Sequence, residues 1–115
     1  MDRPKEERTD MRMNAILEKT DDDAFTGRVA SLDFDVNVTI LPNGAKKEGT
    51  NAPDYRVIGK SPRGMDIEIG AGWNKISQAK KRYVSVTADF GMGDMNLNLV
   101  ERQDGTFTLL PYADR

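Results

Sequence analysis

Alternation with a period of two runs through most of this chain, and it limits the fold more than any other feature. From Asn14 onward, apolar side chains recur at every second position in short runs that end at glycine, proline or acidic clusters. Successive side chains of a strand point to opposite faces, so such runs mark half-buried strands. Ala15–Lys19 is the first, and Asp21-Asp22-Asp23 turns the chain. Phe25, Gly27 and Val29 share one parity, while Leu32, Phe34, Val36, Val38 and Ile40 share the other. A strand does not change its buried face midway without a bulge or a turn, so this switch predicts a tight corner near Ala30–Asp33. Pro42-Asn43-Gly44 stops the next run, Ala45–Pro53 reads as a polar loop, Tyr55–Ile58 as a strand, and Lys60–Gly64 with Pro62 as another loop. No segment after residue 20 sustains a 3.6-residue period.

The next two runs predict their own register. With residues 77–80 as the loop, Trp73 falls opposite Val84, Ala71 opposite Val86, Ile69 opposite Ala88 and Ile67 opposite Phe90. Apolar pairs on one face favour that alignment. Gly70 and Gly72 then lie on the polar face, as expected where a small barrel bends sharply. Gly91-Met92-Gly93 turns the chain into Met95–Arg102, and Asp104-Gly105 is a strong hairpin signal before Thr106–Leu110. The expectation is an all-β fold: a small antiparallel barrel or sandwich of about seven strands, mostly a meander. Its expected core includes Phe34, Val36, Ile67, Ile69, Trp73, Val84, Val86 and Leu99. Residues 13–115 read as a single domain. Residues 1–12, rich in charge and poor in apolar side chains, read as a flexible or weakly helical arm.

Composition narrows the chemistry. A chain of 115 residues buries roughly 65% of its unfolded surface, enough for one core without staples. There is no cysteine and no histidine. Disulfides and thiolate metal sites are excluded, and so are the commonest general base and metal ligand. The absence of an apolar leader or spanning run makes a cytoplasmic location the expectation, with no membrane partner. Asp21–Asp23 lacks the spacing and glycine of a calcium loop, so a solvated turn accounts for it. Asp33, Asp35 and Asn37 alternate along one strand, as an outward face does. Gly70-Ala71-Gly72 and Gly91-Met92-Gly93 lack the third glycine and the following helix of a dinucleotide loop.

Several short motifs in the middle and C-terminal parts of the chain resemble one bacterial family. They are Phe25-Thr26-Gly27, the run Asn51-Ala52-Pro53-Asp54-Tyr55-Arg56-Val57, the run from Glu68 to Trp73, Tyr83-Val84-Ser85-Val86, Asn98-Leu99-Val100-Glu101 and Asp104-Gly105-Thr106. Together they are similar to the domain of unknown function 736 over about residues 13–112. This chain departs from the pattern in its N-terminal arm, a longer loop at Lys60–Gly64 and a shorter one at Gly91–Asp94. The resemblance implies a small β-rich protein, often carried on plasmids and other mobile elements near transfer functions. It implies no known catalytic residues, so none is carried over, and no cofactor is expected.

What remains are surfaces. Net charge is −2, yet residues 45–82 carry +5, from nine basic residues against four acids. Lys80, Lys81 and Arg82 fall at one hairpin tip, with Lys75 expected opposite Arg82 and Tyr83 beside it. Cations next to an aromatic ring suit an anionic partner, or single-stranded nucleic acid through phosphate neutralisation and base stacking. A charged tip also blunts a sheet edge against aggregation. The expectation is a non-catalytic accessory protein of a mobile element that binds a macromolecule. A protein partner comes first, with inhibition of a host complex as one such role. A single-stranded nucleic-acid-binding barrel is the alternative, and a small ligand in the barrel mouth a more remote one. Self-association into a homo-oligomer stays open.

Overall fold

The structure, a computed structural model, describes residues 13–44, 49–91 and 93–111. The arm expected over 1–12 lies outside them, as do Lys46, Lys47 and Glu48 of the basic middle, Met92 and Tyr112. Eight strands form: β1 (Met13–Lys19), β2 (Phe25–Ser31), β3 (Asp35–Pro42), β4 (Tyr55–Lys60), β5 (Asp66–Ile76), β6 (Arg82–Asp89), β7 (Asp94–Glu101) and β8 (Phe107–Pro111). They pair antiparallel in chain order and close into one barrel. The expected all-β meander is present, with one strand more and as a barrel rather than a sandwich. Among the described residues there is no helix.

Closure is uneven. Seven seams are ladders of five to seven residue pairs, whereas β1 meets β8 only at Leu17–Phe107. Beside that seam the Arg102 guanidinium donates to the Ala15 carbonyl at 3.1 Å and to Asn14 Oδ1 at 3.3 Å, strapping the β7–β8 hairpin to β1. Inward side chains of every strand but β5 fill the interior: Leu17, Val29, Val38, Ile40, Val57, Val86, Leu97 and Leu109 are fully buried. Each such side chain is worth roughly 1.5–3 kcal/mol removed from water.

The β2–β3 corner falls where parity predicts it, with Ser31 N–H donating to the Phe34 carbonyl at 2.7 Å. Leu32 is not part of the buried face; it sits on that turn, fully exposed. Four other turns share one geometry: Thr20–Ala24, Ser61–Met65, Ser77–Lys81 and Arg102–Thr106. In each, the first N–H reaches the fifth carbonyl and the fourth N–H returns to the first. The fourth residue is left-handed: Asp23 (φ 63°), Gly64 (92°), Lys80 (64°) and Gly105 (92°). This is the pattern of a three-residue hairpin loop, whose left-handed position favours glycine.

The expected β5–β6 register is wrong by one residue. Trp73 faces Ser85, Asn74 faces Val84, Gly72 faces Val86 and Gly70 faces Ala88. The cause is the turn: Ser77 and Lys81 close a loop of three residues, 78–80, where the expected alignment had four. A bulge on the other side of β5 makes apolar parity a false guide to that register. Val57 pairs with Gly70 but Ile58 pairs with Glu68, so Ile69 is the extra residue of a bulge. Ile67 and Ile69 point inward before the bulge, and Gly70 and Gly72 point inward after it. Val84, Val86 and Leu99 are buried as expected, and Phe34, Val36 and Ile69 pack half-buried against the core. Ile67 is 47% exposed, and Trp73 turns to the outer wall. Gly70 lets β6 lie close beside the bulge. A Cβ there would run into the Thr87 carbonyl oxygen and lie 2.7 Å from Ala88 Cα.

Candidate partner-binding surface at the β5–β6 hairpin

The β5–β6 hairpin is paired to its tip, ending with Ile76 opposite Arg82. Ser77 organises the turn: its N–H donates to the Lys81 carbonyl at 2.8 Å, and its Oγ accepts the Lys81 N–H at 3.2 Å. Lys80 occupies the left-handed position. Lys75, Lys80, Lys81 and Arg82 are all exposed, and Tyr83 is half-buried. The one-residue shift places Lys75 directly opposite Tyr83 and Ile76 opposite Arg82. Lys75 is therefore the cross-strand neighbour of the aromatic ring rather than of Arg82.

The five residues do not converge on a single cavity. Lys81, Arg82 and Tyr83 line an open groove of about 860 Å³ on the outer wall, completed by Asn98, Val100, Glu101, Arg102 and Gln103. Lys75, Arg82 and Tyr83 line the barrel mouth, about 670 Å³, whose walls include Lys19, Phe25, Tyr55, Leu99 and Phe107. Arg82 and Tyr83 form the ridge between the two. Lys80 stands at the tip and borders neither. The sequence reading missed the β7 side of the groove and the aromatic cluster at the mouth. There Phe25 packs edge-on against Phe107 (centroids 4.9 Å apart) and at 6.1 Å from Tyr55. The Tyr55 hydroxyl is held above its usual pKa, first by burial and then by the charges of Asp23 and Asp54. Strand parity places these residues inward, but only closure of the barrel brings three separated strands to one mouth.

Ion pairing distinguishes the hairpin electrostatically. Elsewhere on the barrel wall, Lys19 pairs with Asp23, Arg28 with Asp35, Arg56 with Glu68 and Lys60 with Asp66. Among the described residues, Lys75, Lys80, Lys81 and Arg82 make no ion pair. The arrangement presents cations, an aromatic edge and side-chain amides. Asp21–Asp23 form an exposed turn, and among the described residues no three acids are grouped to hold a metal.

Trp73 has a neighbouring task. Its indole N–H donates to the Asn51 carbonyl at 3.0 Å, Asp54 N–H donates to the Gly72 carbonyl at 2.9 Å, and Asn74 N–H donates to Asp54 Oδ2 at 2.8 Å. The Asn51–Asp54 loop is thus latched along the outer face of β5. Two motifs distant in sequence form one structural unit beside the hairpin.

Fold and surface together define a small closed meander barrel carrying an unpaired basic hairpin. The chain belongs to the family described as protein of unknown function (DUF736), whose model matches residues 15–111. Comparison with curated proteins and with solved structures gives no match.

Proposed function

We propose that this protein is a non-catalytic binding module that holds an anionic macromolecule against the β5–β6 hairpin, with a protein as the first partner class. The observation that supports it most is the segregation of charge. Among the described residues, Lys19, Arg28, Arg56 and Lys60 are paired with carboxylates and Arg63 and Arg102 stand singly, while the hairpin alone concentrates four exposed cations with no carboxylate partner. Such a field on a protein of net charge −2 steers acidic partners toward one end of the barrel. An accessory role in a mobile element, exercised in the cytoplasm and including inhibition of a host complex, is compatible with a small module of this kind.

Single-stranded nucleic acid is the second reading, and Tyr83 favours it. The half-buried ring lies across from Lys75 and borders a groove with Lys81, Arg82 and Asn98, so base stacking and phosphate contact share one site. Salt separates the two readings. Neutralising three phosphates of a single strand gives a log–log salt slope of roughly −2. The test is the triple change Lys80→Glu, Lys81→Glu, Arg82→Glu, read by fluorescence anisotropy against a labelled single-stranded oligonucleotide and an acidic peptide. A loss of at least tenfold for the peptide supports the first reading. The same loss for the oligonucleotide, with that slope, supports the second. Unchanged affinity for both overturns the hairpin as a site.

A further inference from the structure

At the opposite end of the barrel, we propose that the free edge of β5 at Asp66–Ile69 and the apolar notch beside it bind an extended partner segment of alternating apolar and basic residues, which adds as a strand next to β5. This surface is separate from the basic hairpin and does not depend on that reading.

The edge exists because β5 begins at Asp66, four residues before its ladder with β6 does. On one side, Asp66, Ile67 and Glu68 pair with Lys60, Gly59 and Ile58 of β4. On the other, β5 pairs with β6 only from Gly70 onward. β6 does not follow β5 further because Asp89 Oδ1 accepts the N–H groups of Gly91 (2.7 Å) and Gly93 (3.2 Å), both glycines with positive φ, and turns the chain away. No residue of β6 is in register with Asp66–Ile69, and Asp89, Phe90 and Gly91 border the notch beside them. An exposed edge of this kind is a template for strand addition.

The side chains say which strand fits. Beside the edge lies a notch of about 460 Å³ whose apolar lining includes Val36, Ile67, Ile69 and Phe90. Phe90 is fixed there by stacking on Phe34, with ring centroids 5.0 Å apart and planes 5° from parallel. Ile67 is 47% exposed and Met65, in the adjoining turn, 70%. The inner face of an added strand is therefore apolar. The outer face follows from charge. β4 presents Arg56 and Lys60, and β5 answers with Glu68 and Asp66 in ion pairs. Glu68 and Asp66 each hold one cation from β4 but stay more than half exposed, and a strand on their other flank meets them with a second, so its outward residues are lysine or arginine.

The same charges argue against a second copy. Antiparallel pairing of two β5 edges centred on Ile67 sets Asp66 opposite Glu68, and centring on Glu68 sets like charges face to face. Both are destabilising. Nor does the chain's own N-terminal dozen fit, since Met1 and Met11 are its only large apolar residues.

The test uses the full chain labelled with nitrogen-15 and three blocked peptides: alternating valine–lysine, alternating valine–glutamate, and a valine–lysine peptide of the same composition with its residues in blocks. Saturable binding of the first alone, with amide exchange at Asp66–Ile69 slowed at least tenfold, is the expected result. Glu68→Lys should weaken it at least fivefold and Ile67→Lys at least tenfold, each with an amide spectrum showing the barrel intact. Should Ile67→Lys fail to fold, Glu68→Lys and the exchange data decide alone. Equal binding of the blocked-sequence peptide, protection confined to the hairpin at Lys80, or no binding of the alternating peptide each overturns the proposal. So does a dimer by sedimentation that protects the same amides.

Discussion

The two ends of this barrel are made by the same eight strands and carry opposite surfaces. At the Lys80 end, β5 and β6 are flush to their tips, and the hairpin exposes cations without carboxylate partners beside Ile76, with the Lys19–Asp23 pair across the mouth. At the Phe90 end, β5 overshoots β6, a stretch of edge is bare, and the exposed groups include Leu32, Met65 and Ile67. Of the cations there, Lys60 and nearby Arg56 are paired, whereas Arg63 in the Ser61–Met65 turn makes no ion pair among the described residues. A closed barrel abolishes edges only where neighbouring strands end together; where β6 turns away at Asp89 and β5 runs on, an edge returns locally. The Lys80 end is suited to recognition by charge, the Phe90 end to recognition by backbone and apolar contact.

The largest effect should come from Gly70→Ala, at the residue where these two regimes meet. The added methyl has no room against the Thr87 carbonyl and Ala88 Cα, so β5 and β6 must separate there. A loss of roughly 3 kcal/mol or more is expected in chemical denaturation. Gly44→Ala, with open space around it, should change little. Equal small losses would show that the two strands are not held this close where their ladder begins.

Trp73→Ala should come next, at roughly 1–3 kcal/mol. The ring is half-buried on the outer wall, so its truncation removes one hydrogen bond to Asn51 and part of its apolar cover rather than core packing. A loss of 3–5 kcal/mol, the range for a core aromatic, would return Trp73 to the interior. Tryptophan fluorescence should respond to changes in the Asn51–Asp54 loop.

Lys80→Gly should stabilise the barrel by about 0.5–1 kcal/mol, because glycine relieves the left-handed backbone while giving back some entropy in the unfolded chain. Weaker binding of an anionic partner by this more stable variant would show that the lysine is kept at the tip for recognition. Unchanged binding would leave Lys81 and Arg82 as the contact residues.

The smallest effect concerns pH. The hydrogen bond from Arg28 chiefly holds Asp35 below the usual carboxylate range, and Arg56 does the same for Glu68. A carboxyl more acidic when folded contributes stability above its unfolded pKa, near pH 4, and loses it as the pH falls through the folded value. Both pairs are exposed, so the gain is small. Asp35→Asn and Glu68→Gln should slightly flatten the acid limb of a melting-temperature profile, whereas Lys75→Gln at the other end should leave it unchanged. An identical limb in all three variants would remove ion pairing as a difference between the ends.

Much of the architecture was legible in the chain. Alternating runs marked the strands, Asp104-Gly105 and the parity switch at Ala30–Asp33 marked turns, and the basic tip fell on a hairpin as expected. The register of that hairpin was not legible. Counting parity from Ile67 through Trp73 assumes an unbroken strand, and the bulge breaks it between Ile69 and Gly70. The side chains give no sign of that break, since isoleucine and glycine both occur inside regular strands.

By itself, then, the sequence determined the secondary structure, its meandering order and which cations gather at one hairpin, because these depend on neighbours a few residues apart. Only the tertiary structure decided the rest. Closure into a barrel pressed β5 against β6 so tightly at Gly70 that a Cβ has no room, and with the bulge beside it Trp73 lies on the outer wall and a short edge is bare at Asp66–Ile69. Those outcomes depend on the curvature of strands brought together from distant parts of the chain, and local alternation carries no record of curvature.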